Sequence, residues 1–95
     1  MDKSPQQIAQ EILEEADLYG KLGERYNELQ KFYALWWKTS RGDHKSDKQA
    51  EKAWDLTKDG EEMLEIRLKM KVKEKRMSAM KTYLRVLENE AHNQY

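Results

Sequence analysis

An all-α fold built from long helices is predicted by three features of this 95-residue chain. From Met63 to Ala91, alternating steps of three and four pick out Met63, Ile66, Met70, Lys73, Met77, Met80, Leu84, Leu87 and Ala91. All but Lys73 are apolar or alanine, which is a heptad seam held over four repeats. A second stripe recurs at the same spacing through Ile8, Ile12, Ala16, Tyr19, Gly23, Tyr26, Leu29, Tyr33 and Trp36, widened by Leu13, Leu22, Phe32 and Trp37. One Pro and four Gly leave little to interrupt either pattern.

The elements follow in order. Ser4 can cap a helix that opens with Pro5 in its first turn, and Gln7 completes a capping box. This first helix is expected over residues 5–38. Gly20 and Gly23 lie inside it, spaced so that a neighbouring backbone can approach. Thr39-Ser40-Arg41-Gly42-Asp43-His44-Lys45 reads as a turn. Ser46 and Gln49 then form a second capping box for a helix over residues 46–90, with Ala50, Ala53, Trp54 and Thr57 on one face. Asp59-Gly60-Glu61-Glu62 leaves two options, a break at residues 58–60 or a kink at Gly60 in one nearly continuous helix. Near-continuity is favoured. The strict alternation of Leu68-Lys69-Met70-Lys71-Val72-Lys73 resembles a strand, but the helical pattern around it is several times longer. The chain beyond Glu90 offers little to hold a helix.

The expected architecture is therefore a single domain, residues 1–95: an antiparallel helical hairpin of two long helices. The last helix carries a further apolar row, Leu64, Leu68, Val72, Ala79, Tyr83 and Val86, beside its main seam. One facing helix cannot cover both rows. Pairing into a four-helix dimer, or docking on another protein, accounts for the second; a wider stripe within the monomer is the plainer alternative.

Composition narrows the function classes. Hydrophobic and charged residues each make up 38% of the chain and mean hydropathy is −1.13, so a single copy builds only a small core. Nine aromatic residues and balanced charge oppose disorder. The absence of cysteine excludes disulfides and thiolate metal sites and fits a reducing compartment. No run approaches the ~20 apolar residues that span a bilayer, and the first residues lack the basic-then-apolar pattern of a signal peptide. A cytoplasmic protein without membrane contact is expected.

Two stretches carry functional signals. Residues 66–85 hold Arg67, Lys69, Lys71, Lys73, Lys75, Arg76, Lys81 and Arg85 against the single acid Glu74, a net charge of +7 in an otherwise acidic chain. Such a field is what phosphate contacts require, and Arg67, Lys71, Lys75, Arg76 and Lys81 are the candidate nucleic-acid ligands. The plainer reading is a solvated face that pairs with Glu14, Glu15, Asp17, Glu24 and Glu28 across the hairpin. The second signal is Phe32, Tyr33, Trp36 and Trp37, followed by Lys38, Arg41 and Lys45. These aromatics either stack on bases or plug the hairpin end against Trp54. Trp36 and Trp37 point about 100° apart, and Trp37 is expected to remain outside. His44 with Asp43 and Asp47 is too sparse for a metal site. No nucleophile stands with base and acid partners, and no Gly-rich phosphate loop occurs. A non-enzyme without cofactor or metal is expected.

The C-terminal half, from Glu65-Ile66-Arg67-Leu68-Lys69 through Ser78-Ala79-Met80-Lys81 to Leu84-Arg85-Val86-Leu87-Glu88-Asn89-Glu90-Ala91, resembles short helical-hairpin and coiled-coil accessory proteins of tailed phages and prophages. The likeness covers residues 46–95 and carries over no site residues. It implies an accessory protein acting in the bacterial host cytoplasm. Two functions are therefore expected. The first is a protein-interaction module, such as a modulator or inhibitor of a host factor, anchored by Trp37, Leu64, Leu68, Val72 and Tyr83 and working as a homodimer or on a host protein. The alternative is a DNA- or RNA-binding accessory protein using the basic last helix.

Overall fold

Ser4 opens the first helix as its spacing predicts. Its hydroxyl accepts from the Gln7 backbone N–H at 3.2 Å, and the Gln7 side chain accepts from the Ser4 N–H at 2.9 Å. Two orphan donors of the first turn are thereby satisfied, with Pro5 in the first helical position. In this computed structural model, which describes residues 3–93, α1 spans Pro5–Ser40 and passes into a short 3₁₀ turn, Arg41–Asp43. A nine-residue helix, α2, spans Asp47–Asp55, and α3 spans Lys58–Asn93. All regular structure among the described residues is helical. Both long helices exceed their expected ends: α1 runs beyond Lys38, and α3 runs past Glu90 to Asn93. Gln94 and Tyr95, within the tail expected to be loose, lie outside the described residues.

The second helical stretch corrects the expectation of near-continuity. It is divided, and the division falls at Leu56–Thr57 rather than at residues 58–60. Thr57 is the reason. Its hydroxyl donates to the Trp54 carbonyl at 2.6 Å, closing the end of α2. The same oxygen accepts from the Gly60 N–H at 3.0 Å, which is the bond of an N-capping residue to the third residue of the next helix. One side chain ends one helix and begins another. Gly60 is buried inside the first turn of α3, and no residue of the described chain has positive φ. Glycine is needed there for space: a Cβ would stand 1.9 Å from the Trp54 carbonyl oxygen. Gly20 and Gly23 play no comparable part. A Cβ at Gly20 meets nothing, and one at Gly23 makes an ordinary 3.8 Å contact with Met70.

The long helices lie side by side, and residues later in α1 face residues earlier in α3. Glu15 meets Lys73, Tyr19 meets Glu74, and Arg25 meets Glu62. The result is a rod of 68 × 20 × 20 Å. Its core sits where α2 folds against both long helices. Leu29, Trp54, Met63 and Ile66 are buried there, with Leu22, Tyr26, Tyr33, Trp36 and Met70 packed around them. The Trp54 ring lies 4.9 Å from Tyr33 and 5.7 Å from Trp36 between centroids. Aromatic pairs at this range add to the stabilisation from burial. Arg41 fastens the turn beneath them, donating to the His44 carbonyl at 2.8 Å and pairing with Asp47.

The two glycines give opposite expectations. Gly60→Ala should lower stability by about 1–3 kcal/mol through overpacking against the Trp54 carbonyl. Gly20→Ala, at an open helical position, should raise it by up to about 1 kcal/mol. Urea unfolding followed by circular dichroism checks both.

Candidate functional site

α3 has two faces, and they differ in what covers them. Along the predicted seam, Met63 and Ile66 are buried and Met70, Met77, Met80, Leu84 and Leu87 are half-buried; Ala91, at the end, is exposed. Lys73, the one charged residue of that seam, is paired. Its ammonium donates to Glu15 of α1 at 2.9 Å, with the two side chains only 22% and 14% exposed. Arg76 approaches the other oxygen of the same carboxylate at 3.6 Å. Taking a lysine partly out of water is tolerable when a hydrogen-bonded carboxylate meets it. Lys73 and the flanking Arg76 hold the Glu15 carboxyl below its ordinary value of 4.5.

The second apolar row faces away from α1. Leu68 and Val72 are 64% and 65% exposed, and Leu64, Tyr83 and Val86 remain between 39% and 46% exposed. Two shallow troughs lie along the row. One, of about 380 Å³, is lined by Leu68 and Val72 with Glu65, Lys69 and Lys73. The other, of about 600 Å³, is lined by Ala79, Tyr83 and Val86 with Lys75, Ser78 and Thr82. Leu64 also borders a third cleft, of about 300 Å³, with Tyr33, Trp54, Met63, Arg67 and the carboxylates Glu51 and Asp55. Burial pushes the Tyr33 hydroxyl above its ordinary value of 10, and nearby Glu51, Asp55 and Asp47 add to the effect.

Of the candidate phosphate ligands, Arg67, Lys71, Lys75 and Lys81 fall within about 120° on one side of the helix, whereas Arg76 stands about 100° away from Lys75 on the other. Arg67 donates to the Tyr26 hydroxyl at 3.0 Å and lies over its ring, and Arg76 faces Glu15. Lys71, Lys75 and Lys81 are exposed, without an ion pair among the described residues. Of the α1 acids expected to face this run, only Glu15 does so; Asp17 pairs with Lys21, and Glu28 with Arg25.

Within the aromatic group at the turn, Tyr33 and Trp36 pack against Trp54, whereas Phe32 is exposed. Trp37, expected to stand outside, is half-buried. Its ring meets Tyr33 edge-on at 5.7 Å, and the Arg41 guanidinium lies 6.0 Å from its centre. Trp37 is also remote from the middle of the outer row. Val72 stands near the level of Glu15, 22 residues before Trp37 in α1 and so about 33 Å along the helix. The structure therefore brings Leu68, Val72 and Tyr83 together on one face, places Leu64 at its cleft-side end, and separates Trp37 from the middle of that face. His44 rests beside the Trp36 ring at 5.8 Å while Asp47 is taken by Arg41.

Some positions of consequence were not singled out from sequence. Thr57 appeared only as a face residue, although a threonine followed by Asp59, Glu61 and Glu62 is a helix-start signature. Glu51 and Asp55 line the cleft together with Trp54, a signal visible only once Trp54 is known to line a cleft. No protein-family model matches the chain, and comparison with curated proteins and with solved structures returned no match.

The Lys73–Glu15 pair sets an expected pH response. The folded-state pKa of Glu15 is depressed, so its contribution to stability is present above 4.5 and is lost as pH falls through the lower folded value. Glu62, depressed by Arg25, acts in the same direction. Thermal melts should therefore shift downward between about pH 5 and pH 3. Glu15→Gln should melt below the parent at neutral pH and show a weaker acid shift.

Proposed function

We propose that this protein is a non-enzymatic helical hairpin that works by binding another protein through the outer row of α3, as an accessory factor of the phage type in the cytoplasm of a bacterial host. The observation that carries this reading is the row itself. Leu68, Val72, Tyr83 and Val86 lie exposed on a helix whose opposite face is already occupied by α1. A helix apolar on two sides needs two neighbours, and one of them is not supplied by this chain. The row runs from Leu64 to Val86, about 33 Å at 1.5 Å per residue, which is long enough to seat a partner helix of several turns. No helix among the described residues is long and apolar enough to cross a membrane, so the row is not a spanning segment.

A second reading, contact with nucleic acid, has support from Lys71, Lys75, Lys81 and Arg85. These carry positive charge without an ion pair among the described residues. It ranks below the first because Arg67 and Arg76 are engaged by Tyr26 and Glu15 of α1, and Lys75 lies within an apolar row, which phosphates do not use.

The experiment sets Val72→Asp with Val86→Asp against Lys71→Glu with Lys81→Glu. Both pairs are exposed, and each should retain the helical circular dichroism of the parent. In affinity capture from bacterial lysate, a stoichiometric protein retained by the parent should be lost with the aspartates. Titration of labelled single- and double-stranded DNA should give no binding at physiological salt. DNA binding that falls steeply with salt and vanishes in the glutamate pair would favour the second reading.

A further inference from the structure

The outer row repeats the arrangement of the inner seam, displaced by two residues. The seam reads Ile66, Met70, Lys73 and Met77; the outer row reads Leu68, Val72, Lys75 and Ala79. In both, a lysine follows two apolar residues and precedes the next apolar position by four. Two residues correspond to about 200° round a helix, so the second row lies on the back of the first.

On the inner side the lysine is met. Glu15 reaches across from α1 to accept from Lys73 at 2.9 Å, and the apolar residues on either side close over the pair. On the outer side Lys75 stands between Val72 and Ala79, exposed and without an ion pair among the described residues, and its stem borders the trough formed by Ala79, Tyr83 and Val86. Lys71 flanks it on one side without an ion pair among the described residues, while Lys69 and Arg76 on the other side pair with Glu65 and Glu15, so the free positive charge in the middle of the row is that of Lys75 and Lys71.

We infer that the outer row receives an amphipathic helix of a different protein, and that this helix carries a carboxylate opposite Lys75 and further acids along its flanks. The inference rests on the docking reading above and adds the chemistry of the partner. Charge disfavours the same row of a second copy as the occupant. The midpoint of Leu64 to Val86 is residue 75, so an antiparallel pairing about that point sets Lys75 against its own counterpart. A parallel pairing sets the whole basic cluster against itself. Like charges juxtaposed in an interface oppose association. An acid-bearing helix turns the same charges into attraction, and a lysine within an apolar seam then acts as a selector of partners.

The test uses the full-length protein and two fluorescein-labelled amphipathic helical peptides. Each has an apolar face repeating every seven residues; one carries glutamate, and its twin lysine, at the central and flanking positions. Fluorescence anisotropy should show the glutamate peptide binding tighter by about tenfold or more at low salt. Lys75→Glu should reverse the preference and Lys75→Met should shrink it, with circular dichroism confirming that both variants retain their helices. Equal binding of the two peptides overturns the inference while leaving an apolar docking face. Binding of neither peptide overturns the docking reading with it. Sedimentation that reveals a dimer dispersed by Val72→Asp assigns the row to a second copy and overturns the inference. Competition by double-stranded DNA at physiological salt overturns it in favour of phosphates.

Discussion

The contact between the Trp54 carbonyl and the first turn of α3 is the constraint on which the rest of the rod depends. Thr57 turns the chain by donating to that carbonyl and accepting from Gly60, and Gly60 leaves room for the carbonyl to stand where a side chain would be. Without this turn α2 would extend α3, and Trp54 would be carried away from Tyr33 and Trp36. With it, a nine-residue helix too short to be stable alone becomes the third wall of a core. Leu29, Met63 and Ile66 are buried because that wall exists.

Most of the architecture was legible in the sequence because it is written in periodicity. The seam from Met63 onward and the Ser4 and Ser46 caps required no knowledge of partners. The position of the break was less legible. Glycine is commonly read as a helix breaker, and attention went to Gly60, whereas a buried helical glycine marks a close approach. That approach comes from a carbonyl six residues earlier, which no local pattern announces. Gly20 and Gly23 show the converse, since glycines spaced for contact proved to have no backbone near them. Trp37 illustrates a third limit. A 100° step between neighbouring residues separates two rings, but the width of an aromatic side chain lets both reach shelter.

The candidate surface was legible in part. Leu64, Leu68, Val72 and Tyr83 were singled out by spacing, and their exposure follows from α1 being a single helix. The engagement of Arg67 and Arg76 by α1 was less evident, because a charge count along a sequence does not show what faces each side chain. Glu15 was one of five acids available to that run. Its selection by Lys73 depends on the register between α1 and α3.

That register bears on how the chain folds. Arg25 and Glu62 are separated by 37 residues, and Glu15 and Lys73 by 58. Forming the outer contact first would require a long loop to close without support, whereas the cost beyond an existing inner contact is small. The rod is therefore built to zip from the aromatic end outward, each rung shortening the loop left for the next. A nucleus at Trp54 would order the inner seam first and leave the distal turns of both helices to join last.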